Sequence, residues 1–220
     1  MTGKTHRVGG VLCVLGGFTY MESKGLLIPN VTPALQLLVM YPFAIYGSTF
    51  SDLDHNSNSS PSKDVVSVAI NKLLHLSKVE KGPLRLFNAK HRSWQTHSDL
   101  FLALSLCFLY WLMNGFKGSG AEREIVLLVG LGFSLGLISH IILDMLTPEG
   151  IWSVLFILLG EIPVIGKVFP RKIRLVPYKK FFYTGGKWES FIRKLLWLLS
   201  IVLFIRILYS LQPYEIFFKR

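Results

Sequence analysis

An all-α bundle of about five membrane-spanning helices is the fold class this chain predicts, and three observations predict it. Of its 220 residues, 51% are hydrophobic and only 17% are charged, a balance too apolar for an ordinary soluble globule and wrong for a disordered chain. Five stretches approach the roughly 20 apolar residues that a helix needs to cross hydrocarbon. The scarce polar residues gather in short islands at the ends of those stretches instead of being spread along them. Cys13 and Cys107 lie in apolar runs without polar neighbours, so they read as small buried hydrophobes and no disulfide framework rests on them.

The first stretch, His6 to Met21 (HRVGGVLCVLGGFTYM), is short and rich in glycine. It resembles a signal-peptide core, but no small-x-small cleavage site follows, so it is expected to be retained. The second runs from Thr32 to Phe50 and carries Pro42 as a kink; the third covers His97 to Phe116, the fourth Glu124 to Leu146 and the fifth Trp188 to Leu211. Residues 51–96 form a polar loop, in which Asp64 to Lys78 has the apolar face of an interfacial amphipathic helix. From Ile151 to Phe169 the chain is apolar, but Gly160, Glu161, Pro163 and Gly166 interrupt it, so the expectation is a re-entrant or interfacial hairpin. The basic stretch that completes this region to Lys187 alternates basic and apolar residues, as a short surface strand pair or a headgroup-facing loop would. All of it belongs to one membrane-embedded domain, 1–220.

Charge sets an orientation. The chain carries a net +11, which in a soluble protein would point to nucleic acid. With these spans, however, sixteen of the Lys and Arg residues fall on the side of the N-terminus and the two long loops, and five fall on the other side. Positive charge accumulates in the cytoplasm, so the N-terminus and both long loops are expected there and the C-terminus outside, in a multi-pass cell-membrane protein.

Five of the six histidines sit beside carboxylates or other histidines in the polar islands, and every island falls at the cytoplasmic end of its helix. His6 opens the first span; Ser51-Asp52-Leu53-Asp54-His55 closes the second; the segment from His91 to Asp99 (HRSWQTHSD) opens the third; His140 and Asp144 lie in the last turns of the fourth; Glu189 opens the fifth. Each has an ordinary reading. A histidine and an aspartate four apart share a helix face and can be a buried structural pair, although ionisable groups at membrane depth are costly and usually functional. SDLDH can be a polar helix stop, His6 alone means little, and Glu189 alone is more often a partner of the helix dipole. HRSWQTHSD holds more ionisable groups than a helix entry needs. Together the histidines and acids point to a site for two or three divalent ions, held through imidazole nitrogens and carboxylate oxygens. A mixed nitrogen and oxygen set favours zinc, with manganese as the alternative, over magnesium. His75 has no acidic neighbour and reads as an interfacial residue, and Gly3-Lys4-Thr5 lacks the upstream glycine and strand of a phosphate-binding loop.

The ordered motifs MTGKTHRVGG, SDLDH, HRSWQTHS, HIILDMLTPEG and TGGKWE resemble a bacterial family of LexA-regulated, membrane-bound metal-dependent hydrolases. The resemblance covers most of the chain, and the pairing of HRxxxTHS with HxxxD is its most specific part. More distantly the chain is similar to the zinc-dependent phospholipase C and single-strand nuclease superfamily, an all-helical fold with three zinc ions between His and Asp side chains. By motif position the resemblance implies metal ligands at His6, Asp52, His91, His97, His140, Asp144 and Glu189. Ser51 stands where the family more often has proline, which leaves open which of Asp52, Asp54 and His55 ligates.

The expected chemistry is hydrolysis of a phosphoester in a membrane lipid or lipid-like substrate at the cytoplasmic face. Asp54 or Asp99 would take a proton or orient a ligand imidazole, and Arg92 would contact the phosphate. The basic run Arg171, Lys172, Arg174, Lys179 and Lys180 either draws anionic headgroups or simply anchors the positive-inside loop. The bilayer is the expected partner and nucleic acid is not. The alternatives are a divalent-metal transporter, which should carry ligands at mid-membrane and on both sides, and a non-catalytic scaffold stapled by metal.

Overall fold

The computed structural model describes residues 1–54, 96–153, 172–175 and 184–211. The expected amphipathic helix at 64–78, the interior of the 151–169 hairpin, and His55, His75, His91, Arg92, Arg171, Lys179 and Lys180 lie outside the described residues.

Five α-helices stand in the described residues, one for each apolar stretch: α1 Gly3–Ser23, α2 Pro33–Phe50, α3 Asp99–Gly115, α4 Gly120–Met145 and α5 Lys187–Ser210. Pro33 enters α2 in its first turn, where a missing N–H costs nothing, and the helix continues through Pro42. At α3 the Ser98 hydroxyl accepts the Phe101 N–H at 3.0 Å. Glu122 reaches back to the Ser119 N–H at 2.9 Å, so α4 begins four residues before the apolar run expected to open at Glu124. The loop between α1 and α2 is held by the buried Gln36 side chain, which accepts the Ile28 N–H and donates to the carbonyls of Ile28 and Val31.

Among the described helices, α4 is long and apolar enough to cross a membrane. α3 is apolar but shorter, α1 is interrupted by glycine pairs, and α5 carries Arg193, Lys194 and Arg206. Length and composition therefore single out one span where the hydropathy pattern leads to an expectation of five. The outer faces tell the same story of an apolar surrounding. Leu104, Phe108, Tyr110 and Trp111 of α3 and Trp197, Leu198, Phe204 and Ile205 of α5 are exposed, a belt that a water-soluble monomer rarely displays.

Glycine explains how tightly the helices approach. A side chain at Gly132 or Gly136 of α4 would run into the carbonyl oxygens of Met40 and Ala44 on α2, and one at Gly47 of α2 would run into the Phe133 carbonyl. α2 and α4 thus cross backbone to backbone, and α1 joins them through Gly10, where an added methyl would lie 2.8 Å from the Ala44 carbonyl oxygen. The helix propensity lost at each glycine, about 1 kcal/mol, is offset by this close packing. Val11, Val14, Leu15 and Phe18 of α1 form the core with Met40, Ala44, Leu128 and Ile207.

Past α4 the chain turns through Gly150, whose positive φ of 61° suits glycine. A two-residue strand β1, Ile151–Trp152, then pairs antiparallel with β2, Lys172–Ile173, in the register Ile151 to Ile173 and Trp152 to Lys172. The basic stretch does contain a strand, but its partner is the start of the expected hairpin. The Trp152 N–H donates to the His97 carbonyl at 2.8 Å, which ties this segment to the polar end of the bundle.

Candidate metal centre

α1 begins, α2 ends, α3 begins, α4 ends and α5 begins at one end of the bundle, and there five of the expected residues converge. Thr5-His6 lies in the first turns of α1, Asp52 in the 3-10 turn Ser51–Asp54 that follows α2, His97 just before α3, and His140 and Asp144 one turn apart on α4. His6, His97, His140 and Asp144 are buried to 0–1% side-chain exposure, whereas Asp52 retains 14%. Asp52 is therefore the least buried member of the cluster.

The donor atoms face one another. His97 Nε2 and His140 Nε2 lie 3.3 Å apart, and Asp144 Oδ2 lies 3.3 Å from the first and 3.2 Å from the second. Asp52 Oδ1 is 3.5 Å from His97 Nε2 and 3.9 Å from His140 Nε2. On the other carboxylate oxygen of Asp144, His6 Nε2 approaches to 3.4 Å and the Met1 ammonium donates at 3.2 Å. The rings of His6 and His140 stack with centroids 3.9 Å apart.

Hydrogen bonds on the far side of two rings fix how they point. His140 Nδ1 meets the Ser48 carbonyl at 2.7 Å; a carbonyl only accepts, so the ring proton sits on Nδ1 and Nε2 presents a lone pair to the cluster. His97 Nδ1 pairs with the Thr96 hydroxyl at 2.9 Å. Among the described residues neither ring nitrogen of His6 makes a hydrogen bond, with Asp144 Oδ1 at 3.4 Å from Nε2, an expensive state for a buried polar ring. Burial by itself would raise the Asp52 carboxyl, but the imidazoles of His140, His97 and His6 outweigh it and hold the group well below the usual carboxylate range.

This donor set fits a cation. A metal bound at about 2.0–2.1 Å with tetrahedral angles keeps its donors about 3.3 Å apart, close to the separations among His97, His140 and Asp144. Two overlapping buried groups could hold an ion, His6 with Asp52 and His140, and His97 with His140 and Asp144, each with its donor atoms within 4.8 Å of one another.

The family model for the YdjM inner membrane protein matches residues 1–213. The chain belongs to that family. No curated protein and no solved structure matches it. For a YdjM-family chain, an inner-membrane protein, the exposed apolar belt of α3 and α5 has its natural solvent.

Two further expected residues lie close by with other attachments. Glu189 is buried, but it belongs to neither ligand group. Its Oε1 accepts from Thr2 N, Thr2 Oγ1 and Thr5 Oγ1, and its Oε2 accepts from Gly185 N. Asp99 accepts the Leu100 N–H on Oδ1 and the Ser153 hydroxyl on Oδ2 at 2.7 Å, so it braces β1 against α3. Asp54 ends the 3-10 turn, with its side chain outside the described residues. Sequence reasoning missed Thr2, Thr5, Thr96 and the Ser48 carbonyl. Thr96 was signalled by its place beside His97, and Thr5 by its place beside His6; a backbone carbonyl such as that of Ser48 has no sequence signal.

Proposed function

We propose that the chain is a metal-dependent hydrolase of phosphoester bonds in membrane lipids or lipid-like substrates, working at the cytoplasmic face of the inner membrane. The observation that carries this reading is the meeting of two imidazole Nε2 atoms at 3.3 Å with carboxylate oxygens beside them, a spacing of donor atoms that suits a shared metal ion. His97, His140 and Asp144 would hold one ion, and His6 with Asp52 and His140 is the overlapping donor set suited to another. The donor set suits zinc, with manganese as the alternative. When bound, the metal would supply Lewis acidity to a phosphoryl oxygen and a more acidic water.

The protein's own groups do the rest. The Ser48 carbonyl and the Thr96 hydroxyl keep the rings of His140 and His97 aimed. Asp52, the least buried member of the cluster, would stand nearest an incoming substrate, and Asp54, two residues on, would accept a proton. Arg92 would take the phosphate through a bidentate contact, with Lys172 and Arg174 adding positive charge near anionic headgroups. The helices α1, α2, α3 and α5 would cross with α4, giving the cytoplasmic N-terminus and external C-terminus that the distribution of Lys and Arg favours. The resemblance to LexA-regulated hydrolases, and the distant one to phospholipase C and single-strand nucleases, supports the same chemistry.

The near-complete burial of His6, His97, His140 and Asp144 favours a second reading, in which metal merely staples the helices. Purified protein in detergent, loaded with zinc and given a phospholipid panel, separates the two. The hydrolase reading expects phosphate-ester turnover that His97→Ala and Asp144→Asn abolish. Full activity in both variants overturns it, and metal binding that raises stability without turnover on any lipid favours the staple.

A further inference from the structure

We infer that Glu189 is a positioning residue of the metal centre, a clasp that fixes the first turn of α1 and thereby aims His6. The inference rests on the metal reading above and gives Glu189 a role other than the ligation expected from sequence.

His6 is the histidine of the cluster whose ring nothing orients by hydrogen bonding. His140 is aimed by the Ser48 carbonyl and His97 by the Thr96 hydroxyl, while both nitrogens of His6 lack such a bond. Its direction comes from stacking on His140, from the approach of its Nε2 to Asp144 Oδ1 at 3.4 Å and from its own backbone. That backbone lies in the opening turns of a helix, whose end frays unless it is anchored. Glu189 removes the freedom. Its Oε1 accepts the Thr2 N–H at 2.5 Å and the hydroxyls of Thr2 and Thr5 at 2.6 Å each. The carbonyl of the gripped Thr2 in turn accepts the N–H groups of Thr5 at 2.9 Å and His6 at 3.2 Å. The chain of contacts from Glu189 to the His6 backbone is thus two hydrogen bonds long.

The same carboxylate also accepts the Gly185 N–H at 2.6 Å on Oε2, where Gly185 has a φ of 81° just before α5. One buried acid therefore joins the starts of two helices, and its negative charge lies where both helix dipoles favour it. Among the described residues α5 packs chiefly on α1, so this clasp sets where α5 begins relative to His6. With four donors on its two oxygens, Glu189 has little capacity left for a metal.

The test uses the full chain in detergent with Co²⁺ alone as the probe, followed by its visible absorption, and hydrogen exchange of residues 1–11 without metal. Glu189→Ala is expected to weaken Co²⁺ binding about tenfold, as the loss of an outer-shell partner does. It should leave the number of ions per chain at saturation unchanged, shift the visible bands and speed exchange in the first turn. Thr5→Val should act in the same direction by less, and adding it to Glu189→Ala should cost little more, since both break one contact. Should Glu189→Ala fail to fold, Thr5→Val and Glu189→Gln carry the test, the latter keeping an acceptor for the threonines and losing the Gly185 bond. Unchanged affinity and bands in the folded variants overturn the positioning role, and so does the loss of one ion at saturation, which would make Glu189 a ligand. A wild-type chain that binds no Co²⁺ removes the parent reading and the positioning role together, whereas normal binding in every Glu189 and Thr5 variant removes the positioning role alone.

Discussion

Two buried acids at the same end of the bundle, Glu189 and Asp144, have opposite surroundings. Glu189 is surrounded by donors: two threonine hydroxyls and two backbone amides occupy its oxygens. Asp144 is surrounded mainly by imidazole nitrogens at 3.2–3.4 Å, and those nitrogens crowd one another as well. Glu189 is held by hydroxyl and amide donors alone, whereas Asp144 shares its oxygens between the Met1 ammonium and three imidazole nitrogens, the ring atoms through which histidine binds metal. Burial and charge do not distinguish a structural acid from a ligand; the kind of group around it does.

The largest effect is expected from His140→Ala, which removes a member of both ligand groups. Metal affinity should fall more than about 100-fold, beyond the range of outer-shell losses, and isothermal titration of the purified chain with Zn²⁺ measures it; a fall under tenfold would contradict the shared role of His140. Metal removal comes next. Chelation should lower the thermal midpoint, and zinc at about 100 times its Kd should restore about 2.7 kcal/mol, whereas His140→Ala should not respond to zinc.

Gly136→Ala tests the packing that brings α4 to α2. With the Ala44 carbonyl in the way, the helices must separate, at a cost of about 1–3 kcal/mol. Thermal unfolding in detergent should report this, with weaker zinc binding alongside because His140 and Asp144 ride on α4. On the saturated side, Thr5→Val should cost about 1.5 kcal/mol of stability for one lost hydrogen bond to a charged group. The smallest effect is expected from Asp99→Asn, whose carboxylate braces Ser153 outside both ligand groups. Zinc affinity should stay within about threefold, a difference below 1 kcal/mol; a larger loss would bring Asp99 into the centre.

Much of the fold was legible because five apolar stretches separated by polar islands leave little freedom in where helices lie. The errors at their ends have local causes. α4 starts at Gly120 because Glu122 caps Ser119, and a charged first turn is invisible to an apolar run. α1 starts at Gly3, ahead of His6, because Glu189 holds its first turn. The pairing of Ile151–Trp152 with Lys172–Ile173 could not be foreseen, since two-residue strands carry no periodicity.

In the site, His6, Asp52, His97, His140 and Asp144 were legible because ionisable residues at helix ends in so apolar a chain have few ordinary explanations. Glu189 was legible as a member of the polar end, but its hydrogen bonds to Thr2, Thr5 and Gly185 were not. A carboxylate three residues into a helix reads the same whether a metal or a pair of threonines receives it. The acceptor that aims His140, a backbone carbonyl at Ser48, has no counterpart in the amino-acid alphabet.

The most direct test of the central claim is the metal content of the purified full-length chain after zinc loading and gel filtration, beside His97→Ala and His140→Ala prepared in the same way. At least one zinc ion per wild-type chain, lost in both variants, is the expected result. A wild-type chain that emerges without metal, or variants that retain all of it, would contradict the assignment of the His/Asp cluster as a metal centre.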